Sequence, residues 1–465
     1  MGLLIRDGRI ITPDQDRIAD VYCADELITR IEPNINPDAL DDPNLEIIEA
    51  RDRYVLPGAI DPHVHIHLPF MGTNARDDHN SASKAALVGG TTTYIEMICP
   101  GPDDEPLDAF NDWASRASGH SACDYSFHMS VVRFREEDDQ QFRAIVHEHG
   151  IASFKVFLAY KGALDLGDED LYRAMSLASE LGVIVTAHCE NAEAIDAMQK
   201  RLLDEGKTGP EWHEPSRPTC VEAEGVTHIC TFAELTGAHV YAVHTSCAEA
   251  VQAAVDAQRR GVNVWIEAVA PHLVLDNSFA ELAEFEGAKY VMSPPLREPH
   301  NKDALWNALR SGIISTIGTD HAPFDFNAQK NMGHDAFTKI PNGIPGIQER
   351  VDLVHTYGVR TGRIEMPTLV KTCSEMPARI FGMYPRKGAI AVGSDADLVI
   401  YDPNFEGTFS ADQSLSQVDY NAYEGWKRIG RAEVVTVRGK VQARQGEFVG
   451  EASRGELIKR PPTHF

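Results

Sequence analysis

From about residue 55 onward the chain alternates between short apolar, β-rich runs and longer segments of helical periodicity. It does so eight times, and nothing else in the sequence limits the fold as strongly. The runs are Ala59–His65, Thr92–Ile98, Tyr125–Val132, Ala152–Leu158, Val183–His188, Val240–His244, Val262–Glu267 and Ile314–Thr319. Segments between them, such as Asp168–Leu181 and Cys247–Arg260, repeat apolar residues with a helical period. Eight such units across residues 55–372 predict an α/β fold, a (β/α)8 TIM-like barrel. A doubly wound open sheet would want a glycine-rich first turn at a strand end, and the sequence has none.

The flanks read differently. Residues 1–54 (GLLIRDGRIIT, then RIADVYCADELITRIEP) look like short strands and turns, and β character returns after 373. Gly388–Ile390 and Ala396–Ile400 are expected as short strands, and Val434–Val441 as a hairpin turning at Arg438-Gly439. The simplest arrangement joins 1–54 and 373–445 into one small composite β-domain. Residues 446–465 are expected as a loose tail or an arm onto a neighbouring subunit. With 465 residues the chain can bury both cores. Its net charge of −27 disfavours nucleic acid and anionic membranes as partners. Arg6, Asp7 and Arg9 interrupt the only apolar start, and no stretch is long enough to span a membrane. Eight scattered cysteines without a C-x-x-C pair read as reduced thiols of a cytoplasmic protein.

Polar residues close several apolar runs. In Asp61-Pro62-His63-Val64-His65, alternate side chains share a face, so both imidazoles can reach one point. A lone H-x-H is more often structural than metal-binding. Here, however, His188 ends run five, His244 ends run six and Asp320 ends run eight, all at the rim where barrel active sites lie. Four imidazoles and a carboxylate at one rim predict a metal-ligand set, suited to Zn, Mn, Co or Fe(II) more than to Mg or Ca. Lys155 lies in the apolar run SFKVFL. It either snorkels outward or shares the interior face with Phe157. In the interior its pKa would fall, and a neutral amine can take up carbon dioxide as a carbamate able to bridge two metals. His67 keeps the parity of the histidine strand. His321 steps off it, towards a supporting or solvent-facing position. Glu96 faces either the barrel or the surface, and Cys189 and Cys247 read as small buried hydrophobes. Leu68, Phe70, Met71 and Leu158 are expected to wall a pocket.

The segments PGAIDPHVHIHLPFMGT, SFKVFLAYKG, AHCEN, SRPTCVEAE, VHTSCAEA, MSPPLRE, GTDHAPF, KIPNGIPG and YPRKGAIAVGSDADLVIYDP carry a resemblance that runs to about residue 445. The chain resembles the dihydropyrimidinase/hydantoinase family of the amidohydrolase superfamily. The resemblance implies a metal-bearing barrel with a composite β-sandwich built from both chain ends. It implies that His63, His65 and Asp320 hold one divalent ion and His188 and His244 a second, both ions zinc. Carboxylated Lys155 and a hydroxide would bridge them. Asp320 would also move the proton, Tyr160 would stabilise the oxyanion, and Ser293 and Asn342 would hold the substrate's amide edge through main-chain groups. Asp61 would support the site without ligating. The implied substrate is a small cyclic ureide, such as a dihydropyrimidine or a 5-substituted hydantoin, opened to an N-carbamoyl amino acid by a homotetramer. An allantoinase or another cyclic amidase is the alternative. A non-catalytic scaffold of the same fold would have lost ligands, which this chain retains. Dihydroorotase-like relatives carry an arginine where this chain has His67, which counts against that substrate.

Overall fold

The computed structural model describes residues 2–463. Eight parallel strands form the barrel: Ala59–Val64, Thr91–Ile98, Asp124–Ser130, Ser153–Phe157, Ile184–His188, His239–Ala242, Val264–Val269 and Thr316–Gly318. They pair in chain order. Each expected strand is present, its ends shifted by a residue or two. The helix Asp168–Leu181 falls where its periodicity placed it. Three acidic residues open it, and Gly182 ends it in the left-handed conformation at φ 67.

The barrel closes between strands one and eight by a few specific bonds. His63 O accepts from Asp320 N at 3.0 Å, and His321 O accepts from His65 N at 2.8 Å. Buried Arg350 staples the same seam. Its Nη1 donates to Ile60 O at 2.9 Å and Ile317 O at 2.8 Å. A cation spent on main-chain carbonyls satisfies acceptors that a ladder would otherwise use.

The second sheet draws on both ends of the chain. Leu3–Ile11, Asp16–Ala24, Leu27–Glu32, Glu46–Glu49 and Tyr54–Pro57 join Leu398–Thr408, Lys427–Val437, Lys440–Arg444 and Glu447–Phe448. The union is made by Tyr54–Pro57, parallel to the first strand and antiparallel to Leu398–Thr408, with Leu398 opposite Pro57. The expected hairpin turns at Arg438-Gly439, both with positive φ (45 and 71), as a two-residue turn between right-twisted strands requires.

Two expectations fail here. Residues 388–390 form no strand, because Gly388 turns the chain at φ 74 against Ser374. The C-terminal tail, as far as it is described, is not loose. Tyr125 N donates to Glu456 O at 3.0 Å, and Arg460 N donates to Gly150 O at 2.8 Å, so the tail runs across the floor of its own barrel. Ile458 is buried there, and the Arg460 side chain donates to Ser126 Oγ and Ser153 Oγ, both at 2.8 Å. An apolar side chain and a forked donor at this spacing find a hydrophobic floor with free acceptors. Among the described residues no helix is long and apolar enough to cross a membrane.

Candidate metal centre

His63 lies within barrel strand one, and His65 follows it by one residue. His188 is the last residue of strand five. His244 and Asp320 lie just beyond strands six and eight, and Tyr160 just beyond strand four. The last three take positive φ: 38 at His244, 53 at Asp320 and 67 at Tyr160. Side chains rarely tolerate this conformation, and here it swings each of them off its strand into the barrel mouth. Asp61 does not face that mouth. Its carboxylate accepts from Thr319 Oγ1 at 2.6 Å and from Thr319 N and His63 N at 3.2 Å, clasping the two ligand-bearing strands together.

Asp320 Oδ1 stands 3.2 Å from His63 Nε2 and 3.1 Å from His65 Nε2. The ligand atoms of these three residues lie within 4.8 Å of one another, the one such group of three among the described residues. The His188 and His244 rings are 4.5 Å apart, and those of His63 and His244 5.3 Å. These five residues, Lys155, Tyr160, Ser293 and Asn342 all line one narrow cavity. His63 Nε2, Lys155 Nζ and His244 Nδ1 are buried in its wall without a hydrogen bond to any described residue. Buried donors and acceptors are otherwise almost always paired, so this set fits a cation held between them.

The electrostatics agree. Burial pulls His63 down to about 4 and lowers His65, His188 and, most strongly, His244, so the rings are neutral and can ligate. Burial also disfavours ionised Asp320, but His63, His65 and Lys155 outweigh it and hold the carboxylate at about 2. Lys155 is fully buried, and desolvation brings it down to about 8, within reach of the neutral amine. Burial raises Tyr160 to about 12, so its phenol keeps the proton that an oxyanion would need.

Several supporting residues had not been singled out from the sequence. His188 Nε2 donates to Glu190 Oε2 at 2.7 Å, leaving Nδ1 for the cavity. Arg217 Nη1 donates to the same oxygen at 2.5 Å, and its guanidinium lies 5.4 Å from the Tyr160 ring centre. Glu267 Oε2 lies 2.9 Å from His63 Nδ1. Each supporting glutamate interrupts or follows an apolar strand, and that was the signal available. Asn342 Nδ2 donates to Ser293 Oγ at 2.9 Å, so these two residues do meet.

Other candidates lie elsewhere. His67 turns away at φ 53, its ring 6.3 Å from that of His79. Buried His321 is tied to Asp77 Oδ2 at 2.9 Å, not to solvent. Glu96 is buried outside the barrel, 3.2 Å from His79, and orients no ligand. The Cys189 and Cys247 thiols donate to main-chain carbonyls and are pushed up by burial. Leu68 and Phe70 wall the inner cavity as expected. Leu158 does not; it borders a separate acidic groove with Asp165 and Glu224. Phe70, Tyr160, Leu164 and Asn342 continue outward into a second cavity of about 450 Å³, where Met71 and Ile195 join them.

An eight-stranded parallel barrel with imidazoles, a carboxylate and a buried lysine at its C-terminal rim defines a barrel protein with a metal-binding group at its mouth. A sequence profile of the Amidohydrolase family matches residues 54–441. The D-hydantoinase of Geobacillus stearothermophilus is 43% identical over 461 residues, covering 99% of this chain and 97% of that protein. The dihydropyrimidinase of Rattus norvegicus is 37% identical over 462 residues, covering 99% and 89%. The solved D-hydantoinase (dihydropyrimidinase) from Thermus sp. superposes with a TM-score of 0.97 at 54% identity, covering 100% of both chains. The chain belongs to the amidohydrolase family, in its hydantoinase and dihydropyrimidinase branch, and is a hydrolase.

Proposed function

We propose that the protein opens the ring of a small cyclic ureide, a dihydropyrimidine or a 5-substituted hydantoin, by hydrolysing its amide bond to give an N-carbamoyl amino acid. The observation that carries this reading is the complete set His63, His65, Lys155, His188, His244 and Asp320 around one cavity.

In this reading His63, His65 and Asp320 would hold one zinc ion. His188 and His244 would hold the other, and Lys155, as a carbamate, would add an anionic donor to the site. Among the described residues three conventional donors converge at the first position only. Carboxylation of Lys155 would supply the second position with the donor it needs. Two divalent ions, when bound, acidify a water molecule and polarise the ring carbonyl. The remaining work falls to the chain. The Asp320 carboxylate accepts the proton and passes it to the departing ring nitrogen. The Tyr160 phenol donates to the carbonyl oxygen as charge develops there. Main-chain groups at Ser293 and Asn342 hold the amide edge, and Leu68, Phe70 and Met71 surround the ring substituent. We further read the molecule as a cytoplasmic homotetramer, which sedimentation can check.

Steady-state kinetics on dihydrouracil, hydantoin, phenylhydantoin, allantoin and dihydroorotate, with metal analysis of the same preparation, test the proposal. Turnover of the first three with about two ions per chain supports it. A preference for dihydroorotate or allantoin overturns it.

A further inference from the structure

Glu267 touches residues assigned to both ion positions. It sits in barrel strand seven, Val264–Val269, and is fully buried. Its Oε2 lies 2.9 Å from His63 Nδ1 and accepts from His244 N at 2.9 Å. The group makes no lysine or arginine ion pair among the described residues. The fold makes room for it: a Cβ on Gly318, in strand eight, would stand 2.2 Å from Oε1. An acid in an apolar strand without a cation of its own is costly to bury. Glu190, by contrast, is shared between His188 and Arg217.

Both contacts constrain ligand geometry. A proton on His63 Nδ1, donated to Glu267, leaves Nε2 as the lone pair facing Asp320 and His65. The bond from His244 N braces the backbone where φ is 38, the turn that sets the His244 ring 4.5 Å from His188. We propose that Glu267 is a positioning residue serving both ion positions at once, through the ring of His63 at one and the main chain of His244 at the other. The inference rests on the two-ion reading above.

Glu267→Gln keeps the shape but replaces one carboxyl oxygen by an NH2 group that can only donate, and Glu267→Leu removes the bonds. Chelator competition on the zinc-loaded protein gives the dissociation constant of each ion, and thermal unfolding of the metal-free variants reports the fold. The expected result is a weakening of both constants, on the order of 10–100-fold, with metal-free unfolding of Glu267→Gln close to that of the parent. Should Glu267→Leu fail to fold, Glu267→Gln carries the test. Constants that are unchanged, or a loss confined to one ion, overturn the proposal. A parent protein that binds a single ion overturns the two-ion reading instead, so the two failures are distinct.

Discussion

Tyr160, His244 and Asp320 share a backbone conformation that ordinary side chains avoid, and the cavity needs all three there. Each such residue costs about 1–3 kcal/mol, tolerated where the surroundings over-determine it. At Tyr160 the surroundings are the Phe70 ring at 5.1 Å, the His188 ring at 5.2 Å and the Arg217 guanidinium. Tyr160→Phe keeps that packing and removes only the hydroxyl. It should lower kcat by roughly 10²–10³-fold while the ion content stays that of the parent, as steady-state assays and metal analysis would show. Lys155 has the opposite character. Its amine has no hydrogen bond among the described residues, and burial has already lowered its pKa. Lys155→Ala should lose both bound metal and activity, and a short carboxylic acid added to the assay should restore part of each.

At the scale of elements, the loops after strands seven and eight carry Ser293 and Asn342, the residues proposed to hold the substrate amide, and one buried lysine joins them. Lys330 is fully buried; its Nζ donates to Val291 O at 2.8 Å and to Gly343 O at 2.7 Å. Those carbonyls lie two residues before Ser293 and one after Asn342. Desolvation drives the Lys330 pKa well below its usual value, so the group is costly to keep there. Lys330→Met should free the two loops. Michaelis–Menten analysis should show KM raised by roughly 10–100-fold with a smaller change in kcat, and metal analysis should show the ions retained. The orphaned Gly343 carbonyl should also cost about 1–3 kcal/mol in stability, whereas Val291 O keeps its bond from Gly343 N at 3.0 Å.

At the scale of the whole molecule, the barrel and the terminal sheet are locked by a buried ion cluster. Lys387 is surrounded by Asp124, Asp395 at 2.9 Å and Asp397 at 2.7 Å, and Arg438 also reaches Asp124. Asp124 opens barrel strand three, and Arg438 forms the hairpin turn of the sheet, so the cluster spans the junction. The tail adds to the same seam through Glu456 N, which donates to Asp124 Oδ1 at 2.9 Å. Removing one member strands the other charges without water. Lys387→Met should therefore destabilise the protein by about 3–5 kcal/mol, seen as a lower midpoint in thermal unfolding. The metal cavity, at the far rim of the barrel, should keep its ion content in the folded protein.

Barrel strands, their order and the residues that close them were legible in the sequence, because these depend on local periodicity. A run of five or six apolar residues ended by histidine or aspartate carries its meaning within one strand, whatever it later packs against. Hence His63, His65, His188, His244 and Asp320 could be picked out before any of them had a neighbour, and resemblance added Tyr160, Ser293 and Asn342. The partners that support them could not be read this way. Glu267 meets His63 across 204 residues of chain, and Lys387 meets Asp124 across 263. Which buried charges meet depends on how the barrel closes and where its loops return, and a one-dimensional period does not encode that. For the same reason Glu96, as apolar in its surroundings as Glu267, lies on the outer face against His79, and the tail folds back onto its own barrel floor. The sequence by itself determined the barrel and the candidate ligands at its rim. The tertiary structure alone decided which buried groups hold those ligands in place, because that choice is made by long-range packing.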